Sequence, residues 1–486
     1  MKFGTSGLRG LSVDLVGAGS WIYAHAFGRY LIESGKVKAG DAILIGRDFR
    51  DSSPAIAEIC TDALSGLGFK IYDCGTVPTP ALALYGLKKS AASLMVTGSH
   101  IPADRNGIKF YKPDGEIDKE DEAAIMGLAA DSSLADLHAG KHPVVEAHFE
   151  ECINLFHRRN AGFLGDGVLA GLKVGVYQHS TVARDLIVDI LAHYGAEVVP
   201  LGRSTTFIPL DTEAISAKTT SHLTDWARLH DLDAIVSADG DGDRPLVADE
   251  RGVPLRGDLL GLMVAEFLCA DTVVTPVTSN SGIEALGFSV MRTRVGSPFV
   301  IAGMNEAVAA GKQRVVGFEA NGGLLMASSC SVQGHTIDAL PTRDCVLPIL
   351  IAVSRIACLK RPLSEIARSY GLPFTASDRL EGFSTENSTR LLNYLRASDA
   401  NLASFLNEIG QVVLKSDIDG LRVALADQRV IHFRASGNAP EIRCYAEATT
   451  EAAAVELLDA GLDRVRLWAS ADGAPHLGVG FREDYN

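Results

Sequence analysis

The chain has 486 residues, with 45 Lys plus Arg against 60 Asp plus Glu, a formal net charge of −15. That balance excludes a general nucleic-acid binder, which needs a cationic surface to displace counterions, and leaves room for a locally basic pocket that takes a small phosphorylated ligand. Hydrophobic residues make up 47% and charged residues 22% of the chain, a globular composition without extensive disorder, and the length predicts about three domains.

The N-terminus, Met-Lys-Phe-Gly-Thr-Ser-Gly, has no apolar h-region, so no signal peptide is expected. Gly4-Thr5-Ser6-Gly7-Leu8-Arg9-Gly10 is a hydroxyl- and glycine-rich loop with one arginine that suits an anion. Three copies of one pattern follow: strand, helix, a glycine before a second strand, then a glycine-containing turn. The first starts at Ala42–Gly46, places Ile56, Ile59, Ala63 and Leu67 inward on a helix, and closes with Gly68–Tyr72. The second starts at Leu172–Tyr177, has Val182, Leu186, Ile190 and Leu191 on its helix, and closes with Gly195–Val199. The third starts at Thr272–Val277 and closes with Gly287–Met291. Three such units predict three related α/β domains. From about Phe374 onward, 412–414, 420–425, 429–433 and 442–447 alternate at period two, as antiparallel strands do, with helical stretches near 388–396 and 450–467. The predicted fold is therefore α/β: three related α/β domains, plus a C-terminal α+β domain with an antiparallel sheet. The divisions are 1–155, 156–257, 258–373 and 374–486.

The longest apolar runs, 259–265 and 346–353, are too short to span a bilayer, so no membrane partner is expected. None of the eight cysteines has zinc-ligand or redox-motif spacing, which fits buried reduced thiols in a cytoplasmic protein.

Four polar, glycine-rich stretches each follow an apolar strand, where α/β folds place ligands. In Thr97-Gly98-Ser99-His100 the serine hydroxyl has a proton acceptor beside it in His100 and a cation nearby in Lys109. Taken alone, Ser99 better suits a turn that caps the next segment, and residue 101 is Ile, so the Gly-x-Ser-x-Gly elbow is absent. Asp239-Gly240-Asp241-Gly242-Asp243-Arg244 alternates carboxylates with glycines, the chemistry of a hard divalent cation. An EF-hand loop needs Gly where Arg244 stands, and no helix pattern precedes Asp239; Mg²⁺ suits the loop if a phosphate shares the site. Gly317-Phe318-Glu319-Ala320-Asn321-Gly322-Gly323 offers Glu319 and Asn321 to sugar hydroxyls, or is a structural turn. Arg434-Ala435-Ser436-Gly437-Asn438-Ala439-Pro440-Glu441 combines a guanidinium, a hydroxyl and successive backbone N–H groups, as a phosphate nest or a surface turn. Together they supply a nucleophile, a metal, a hydroxyl reader and a phosphate clamp, the parts of phosphoryl transfer on a polyhydroxylated small molecule.

In this order the stretches resemble the α-D-phosphohexomutase superfamily, the phosphomannomutases and phosphoglucomutases. The resemblance runs across nearly the whole chain. It implies four domains around a central cleft. Ser99 would carry a phosphoryl group, and Asp239, Asp241, Asp243 and the Ser99 phosphate would bind Mg²⁺. A hexose 1,6-bisphosphate would be the intermediate and activator in exchanging 6-phosphate and 1-phosphate isomers. Lys109, Arg9 and Arg244 would stabilise charge on the transferring group, and Lys109 or His100 would shuttle the hydroxyl proton. Thr5, Ser6, Arg294, Glu319, Asn321, Arg434, Ser436, Gly437 and Asn438 would bind substrate. Mannose is the expected sugar, with glucose next and glucosamine last; a phosphoserine-dependent sugar-phosphate phosphatase and a non-catalytic sugar-phosphate sensor are the rival readings. The expected state is a monomer or homodimer that binds no nucleic acid. Five places depart from the family's usual pattern: Ile101 after His100, Asn321 where Ser is frequent, Arg294 and Arg343 where Lys is common, and Asn438-Ala439-Pro440 in place of a Thr-Glu-Pro type.

Overall fold

The computed structural model describes residues 1–4, 7–131, 144–332, 334–436 and 440–471. They fall into two compact units: Met1–Thr275 with Phe288–Met291 and Gly296–Tyr370, and Pro276–Gly287 with Arg292–Val295 and Gly371–Asn486.

The first unit holds three mixed sheets built alike. In the first, Ala42–Arg47 lies between Lys70–Thr76 and Ala92–Val96, parallel to both, and Ala92–Val96 pairs antiparallel with Arg105–Lys112. In the second, Lys173–Tyr177 lies in parallel between Glu197–Leu201 and Ala234–Ala238, and the latter pairs antiparallel with Pro245–Ala248. In the third, Thr272–Pro276 neighbours Ser289–Thr293 and runs parallel to Val315–Phe318, which pairs antiparallel with Leu324–Met326. The turn from the last parallel strand to the returning antiparallel strand is Thr97–Asp104 in the first sheet, Asp239–Arg244 in the second and Glu319–Gly323 in the third. Three of the four chemistry-bearing stretches thus occupy one topological position. The strands that lead into them are buried along their whole length, which is why they read as continuous apolar runs rather than alternating ones.

The structure corrects three expectations. On the helix Ser53–Gly66 the buried stripe is Ile56, Ala57, Cys60, Ala63 and Leu64, with Ile59 and Leu67 only partly buried; Cys60 behaves as a small apolar residue and turns the stripe about one position. In the third copy the element between the strands is a six-residue 3₁₀ turn, Ser281–Leu286, and the full helix Ser297–Ala309 comes after the second strand. Six of the eight cysteines are buried and all are free, but Cys269 and Cys358 are exposed.

The second unit contains a five-stranded antiparallel sheet in the order Phe374–Glu381, Glu441–Ala448, Val430–Ala435, Leu421–Leu425, Val412–Ser416. The helices Thr385–Ala397, Asp399–Phe405 and Glu451–Ala471 accompany it. Leu391, Leu395, Phe405, Leu421, Phe433, Leu457 and Val465 form its core. Among the described residues no helix is long and apolar enough to cross a membrane.

His432 sits in this sheet with Nε2 donating to the Asp419 carbonyl at 2.6 Å. Burial, reinforced by Arg434 and Arg422, pushes its pKa from 6.5 down to about 4. Between these values the unfolded chain binds the extra proton, so this contribution to stability is complete above pH 6.5 and is lost as the pH falls toward 4. Denaturant unfolding of the wild type should lose about 2 kcal/mol more between pH 7 and pH 5 than unfolding of His432→Gln. Equal losses in the two proteins would contradict the assignment.

Candidate active site

The serine loop is shaped by two buried residues that the sequence motifs did not single out. Asp48 Oδ2 accepts from Thr97 Oγ1 at 2.8 Å and from the Gly98 amide at 3.3 Å, and Thr97 Oγ1 accepts from the Ser99 amide at 2.7 Å. Arg50, paired with Asp48 at 3.2 Å, donates to four carbonyls of the loop: Ser99 at 2.9 Å, Ile101 at 2.6 Å, Pro102 at 2.6 Å and Arg105 at 2.8 Å. A Cβ at position 98 would lie 2.4 Å from the guanidinium carbon, which is why Gly98 is needed there. This clamp holds Ser99 in the left-handed region, at φ +54°, a conformation that costs a non-glycine residue on the order of 1–3 kcal/mol. Asp48 and Arg50 follow the strand Ala42–Arg47, the same position after an apolar strand that marks the other polar stretches.

Ser99 Oγ donates to Asp239 Oδ2 at 2.5 Å, and His100 Nδ1 lies 3.4 Å from the same oxygen. The aspartate loop comes this close because Gly240 has no side chain: a Cβ there would stand 2.8 Å from the Ser99 carbonyl. Asp239 Oδ1 accepts from the Asp243 and Arg244 amides at 3.1 Å each, which winds the loop around it. Asp241 Oδ2 accepts from Thr79 Oγ1 and from Lys109 Nζ, both at 2.6 Å. Asp243 Oδ2 accepts from Lys109 Nζ at 2.5 Å and from Arg343 Nε at 3.0 Å. The Oδ1 atoms of Asp241 and Asp243 are buried without a hydrogen-bond partner among the described residues.

The three aspartates each offer an oxygen within 4.8 Å of the others, and all three are buried. With the two unpartnered Oδ1 atoms and the Ser99 hydroxyl, the donor set is all oxygen, the set a hard divalent cation takes. The group can therefore hold a metal ion. Electrostatics points the same way. Burial, then the charges of Asp241 and Asp243, raise the Asp239 pKa well above the usual carboxylate range. Burial also raises Asp241, but the charge and hydrogen bond of Lys109 and the hydroxyl of Thr79 outweigh it and hold that carboxyl low.

Cations line the other side. Arg9 donates to the Thr97 carbonyl at 2.5 Å; burial lowers its pKa to about 10, opposed by Asp241 and assisted by Arg244, Arg50 and Arg343. Arg244 lies 3.8 Å from Asp243 Oδ1, and its buried Nε has no hydrogen-bond partner among the described residues. The Arg244 charge, then burial and Arg9, push the His100 pKa down to about 2, so its imidazole is neutral. In the third turn, Glu319 Oε1 accepts from Arg343 Nη1 at 3.3 Å. Asn321 Oδ1 accepts from the Gly323 amide at 3.0 Å, so the amide nitrogen is what this side chain can offer to a ligand.

Of the sequence-predicted residues, the structure thus brings Ser99, His100, Lys109, Arg9, Asp239, Asp241, Asp243, Arg244, Glu319 and Asn321 into the first unit. Arg294, Arg434 and Ser436 lie in the second unit, where one acidic turn links the two arginines: Arg294 Nε donates to the Ile418 carbonyl at 3.3 Å, and Asp419 Oδ2 accepts from the Val295 amide at 3.0 Å and lies 3.8 Å from Arg434 Nη1. The Ser436 amide donates to the Glu441 carbonyl at 3.0 Å across the base of the fourth stretch. Thr5, Ser6, Gly437 and Asn438 lie outside the described residues.

Four family models for phosphoglucomutase/phosphomannomutase match the chain in order: α/β/α domain I over residues 1–135, domain II over 164–252, domain III over 256–371 and the C-terminal domain over 391–464. A phosphomannomutase of Sinorhizobium fredii is 54% identical over 466 residues, covering 95% of this chain and 98% of that relative. A phosphomannomutase of Salmonella muenchen is 38% identical, covering 96% of each chain. Among solved structures, a phosphoglucomutase/phosphomannomutase family protein of Burkholderia thailandensis superposes with a TM-score of 0.74 at 21% identity, covering 97% of this chain and 98% of its own.

The clamp predicts a mutational outcome. Arg50→Met leaves Asp48 buried without its cation and frees four loop carbonyls, so the protein should lose about 3–5 kcal/mol of unfolding free energy. Urea unfolding checks this, and a loss below about 1 kcal/mol would mean that the clamp is not what holds the loop.

Proposed function

The chain belongs to the phosphoglucomutase/phosphomannomutase family, and from that premise we propose that it is a phosphomannomutase: it interconverts mannose 6-phosphate and mannose 1-phosphate through a phosphoserine at position 99 and a hexose 1,6-bisphosphate. The observation that carries the reading is the Ser99 hydroxyl at 2.5 Å from Asp239, beside two further buried carboxylates with unpartnered oxygens. The names of its relatives support mannose as the sugar.

In the forward half-reaction, the free hydroxyl of the sugar phosphate attacks the phosphorus on Ser99. The new sugar O–P bond forms as the Ser99 Oγ–P bond breaks, and the hydroxyl proton is relayed to the departing Ser99 Oγ, which leaves as a hydroxyl. His100 relays it, because its neutral Nδ1 lies 3.4 Å from the serine oxygen while the Lys109 ammonium is engaged by Asp241 and Asp243. The bisphosphate then reorients, and its other phosphate returns to Ser99: the new Ser99 Oγ–P bond forms as the sugar O–P bond breaks, and the Ser99 proton goes back to the sugar oxygen. Asp239, Asp241 and Asp243 would hold Mg²⁺, which would supply positive charge to offset the carboxylates and polarise the phosphoryl group. Arg9 and Arg244 bind those oxygens; the unpartnered Nε of Arg244 is a donor in need of an acceptor. Glu319 accepts from a sugar hydroxyl and Asn321 donates to one. Arg434, Ser436, Gly437 and Asn438 take the phosphate that is not reacting, and Arg294, Thr5 and Ser6 are further substrate-binding residues. In this scheme 1–155 carries the nucleophile, 156–257 the metal, 258–373 the sugar-reading turn and 374–486 the phosphate loop.

Ser99→Ala should lower mannose 1-phosphate conversion by at least about 10³-fold with an unchanged melting profile, as read in a coupled assay primed with bisphosphate. Substantial conversion by that variant would refute the scheme. Chelation with EDTA should abolish conversion and Mg²⁺ should restore it, whereas full activity in excess chelator would remove the aspartates from the mechanism.

A further inference from the structure

Arg343 stands at the end of the strand Leu340–Asp344, buried beneath the second and third turns. Its Nε and Nη2 lie 3.0 and 2.9 Å from Asp243 Oδ2, and Nη1 lies 3.3 Å from Glu319 Oε1. One planar fork thus holds a carboxylate of the metal turn and the carboxylate of the sugar-reading turn. The strand that carries it is anchored on both sides, because both of its neighbours in the chain are pinned. Thr342 Oγ1 donates to Glu116 Oε1 at 2.6 Å, and Asp344 pairs at 2.9 Å with Arg159, which also donates to the Asp338 carbonyl at 3.0 Å. The hold on each carboxylate is selective. Lys109 and Arg343 take Asp243 Oδ2, which leaves Oδ1 facing the aspartate group. On Glu319 the fork holds Oε1.

We infer that Arg343 is a positioning residue that couples cation binding at the aspartates to sugar binding at Glu319, by seating Asp243 and Glu319 in one guanidinium. The inference rests on the reading of Glu319 as a sugar-hydroxyl acceptor. Physically, a shift of either carboxylate drags the rigid fork and disturbs the other, and such coupling acts equally in both directions. Lysine keeps the charge at this position but is a point donor that reaches one carboxylate at a time.

The test uses dephosphorylated full-length protein, which cannot transfer a phosphoryl group. Mg²⁺ is titrated by calorimetry with and without saturating mannose 1-phosphate. In the wild type the sugar phosphate should tighten Mg²⁺ binding by about 5-fold or more. In Arg343→Lys the two Mg²⁺ affinities should agree within about twofold, and affinity for Mg²⁺ alone should fall about tenfold. Glu319→Gln cuts the sugar side of the fork; with mannose 1-phosphate raised to a level that saturates this variant, it should lose the coupling, and it decides the matter if Arg343→Lys fails to melt cooperatively. Wild-type coupling in either folded variant overturns the inference. If mannose 1-phosphate does not bind the wild type at all, the sugar reading fails separately. The Mg²⁺ titration of Arg343→Lys then stands alone, and an unchanged affinity overturns the positioning role.

Discussion

Three carboxylates buried within reach of a single serine hydroxyl are the constraint around which the first unit is organised. Like charges in a low-dielectric interior are tolerated only when cations and hydrogen-bond donors are placed against them. Each aspartate has its own arrangement: Asp239 is wrapped by the amides of its loop, Asp241 is held by Thr79 and Lys109, and Asp243 by Lys109 and Arg343. Thr79 and Lys109 come from the first sheet's segment of the chain and Arg343 from the third's, so the charge set holds together three sheets that share no strand. The same arrangement keeps one oxygen each of Asp241 and Asp243 clear of protein donors. A site stabilised on one side by lysine and arginine and left open on the other is prepared for a cation, with arginines beyond it prepared for an anion.

The threefold repeat explains how these groups meet. One turn, between the last parallel strand and its antiparallel return, carries the serine in the first sheet, the aspartates in the second and Glu319 with Asn321 in the third. A turn at the mouth of a fully buried strand has little freedom at its base and much at its tip, which suits it to a precise functional group. Different side chains grafted onto one scaffold position give three distinct chemical roles.

The motifs were legible because their chemistry is local. Asp239 to Arg244 states its ligand type in six consecutive residues, and the C-terminal strands Leu421–Leu425 and Val430–Ala435 declare themselves by alternation. What escaped was supplied from far along the chain. Arg50 reaches carbonyls about fifty residues away, Thr79 meets an aspartate in another sheet, and the Arg343–Glu319 pair has no spacing that marks it. Arg343 was visible only as a retained positive charge. The edge strand Phe374–Glu381 was hidden because its polar, largely exposed residues carry no apolar alternation, although all eight are paired to Glu441–Ala448. The third copy misled because Ser281–Leu286 is too short for a helix.

The central claim is that the Ser99 oxygen receives a phosphoryl group and hands it to a sugar rather than to water. It is tested most directly by loading the protein with one isotopically labelled phosphoryl group, verifying its place by peptide mass, and mixing it with unlabelled mannose 1-phosphate and Mg²⁺ in a single turnover. The account predicts that the label leaves Ser99 and appears in hexose bisphosphate and then in mannose 6-phosphate. Label recovered as inorganic phosphate, or retained on the protein through the turnover of substrate, would contradict it.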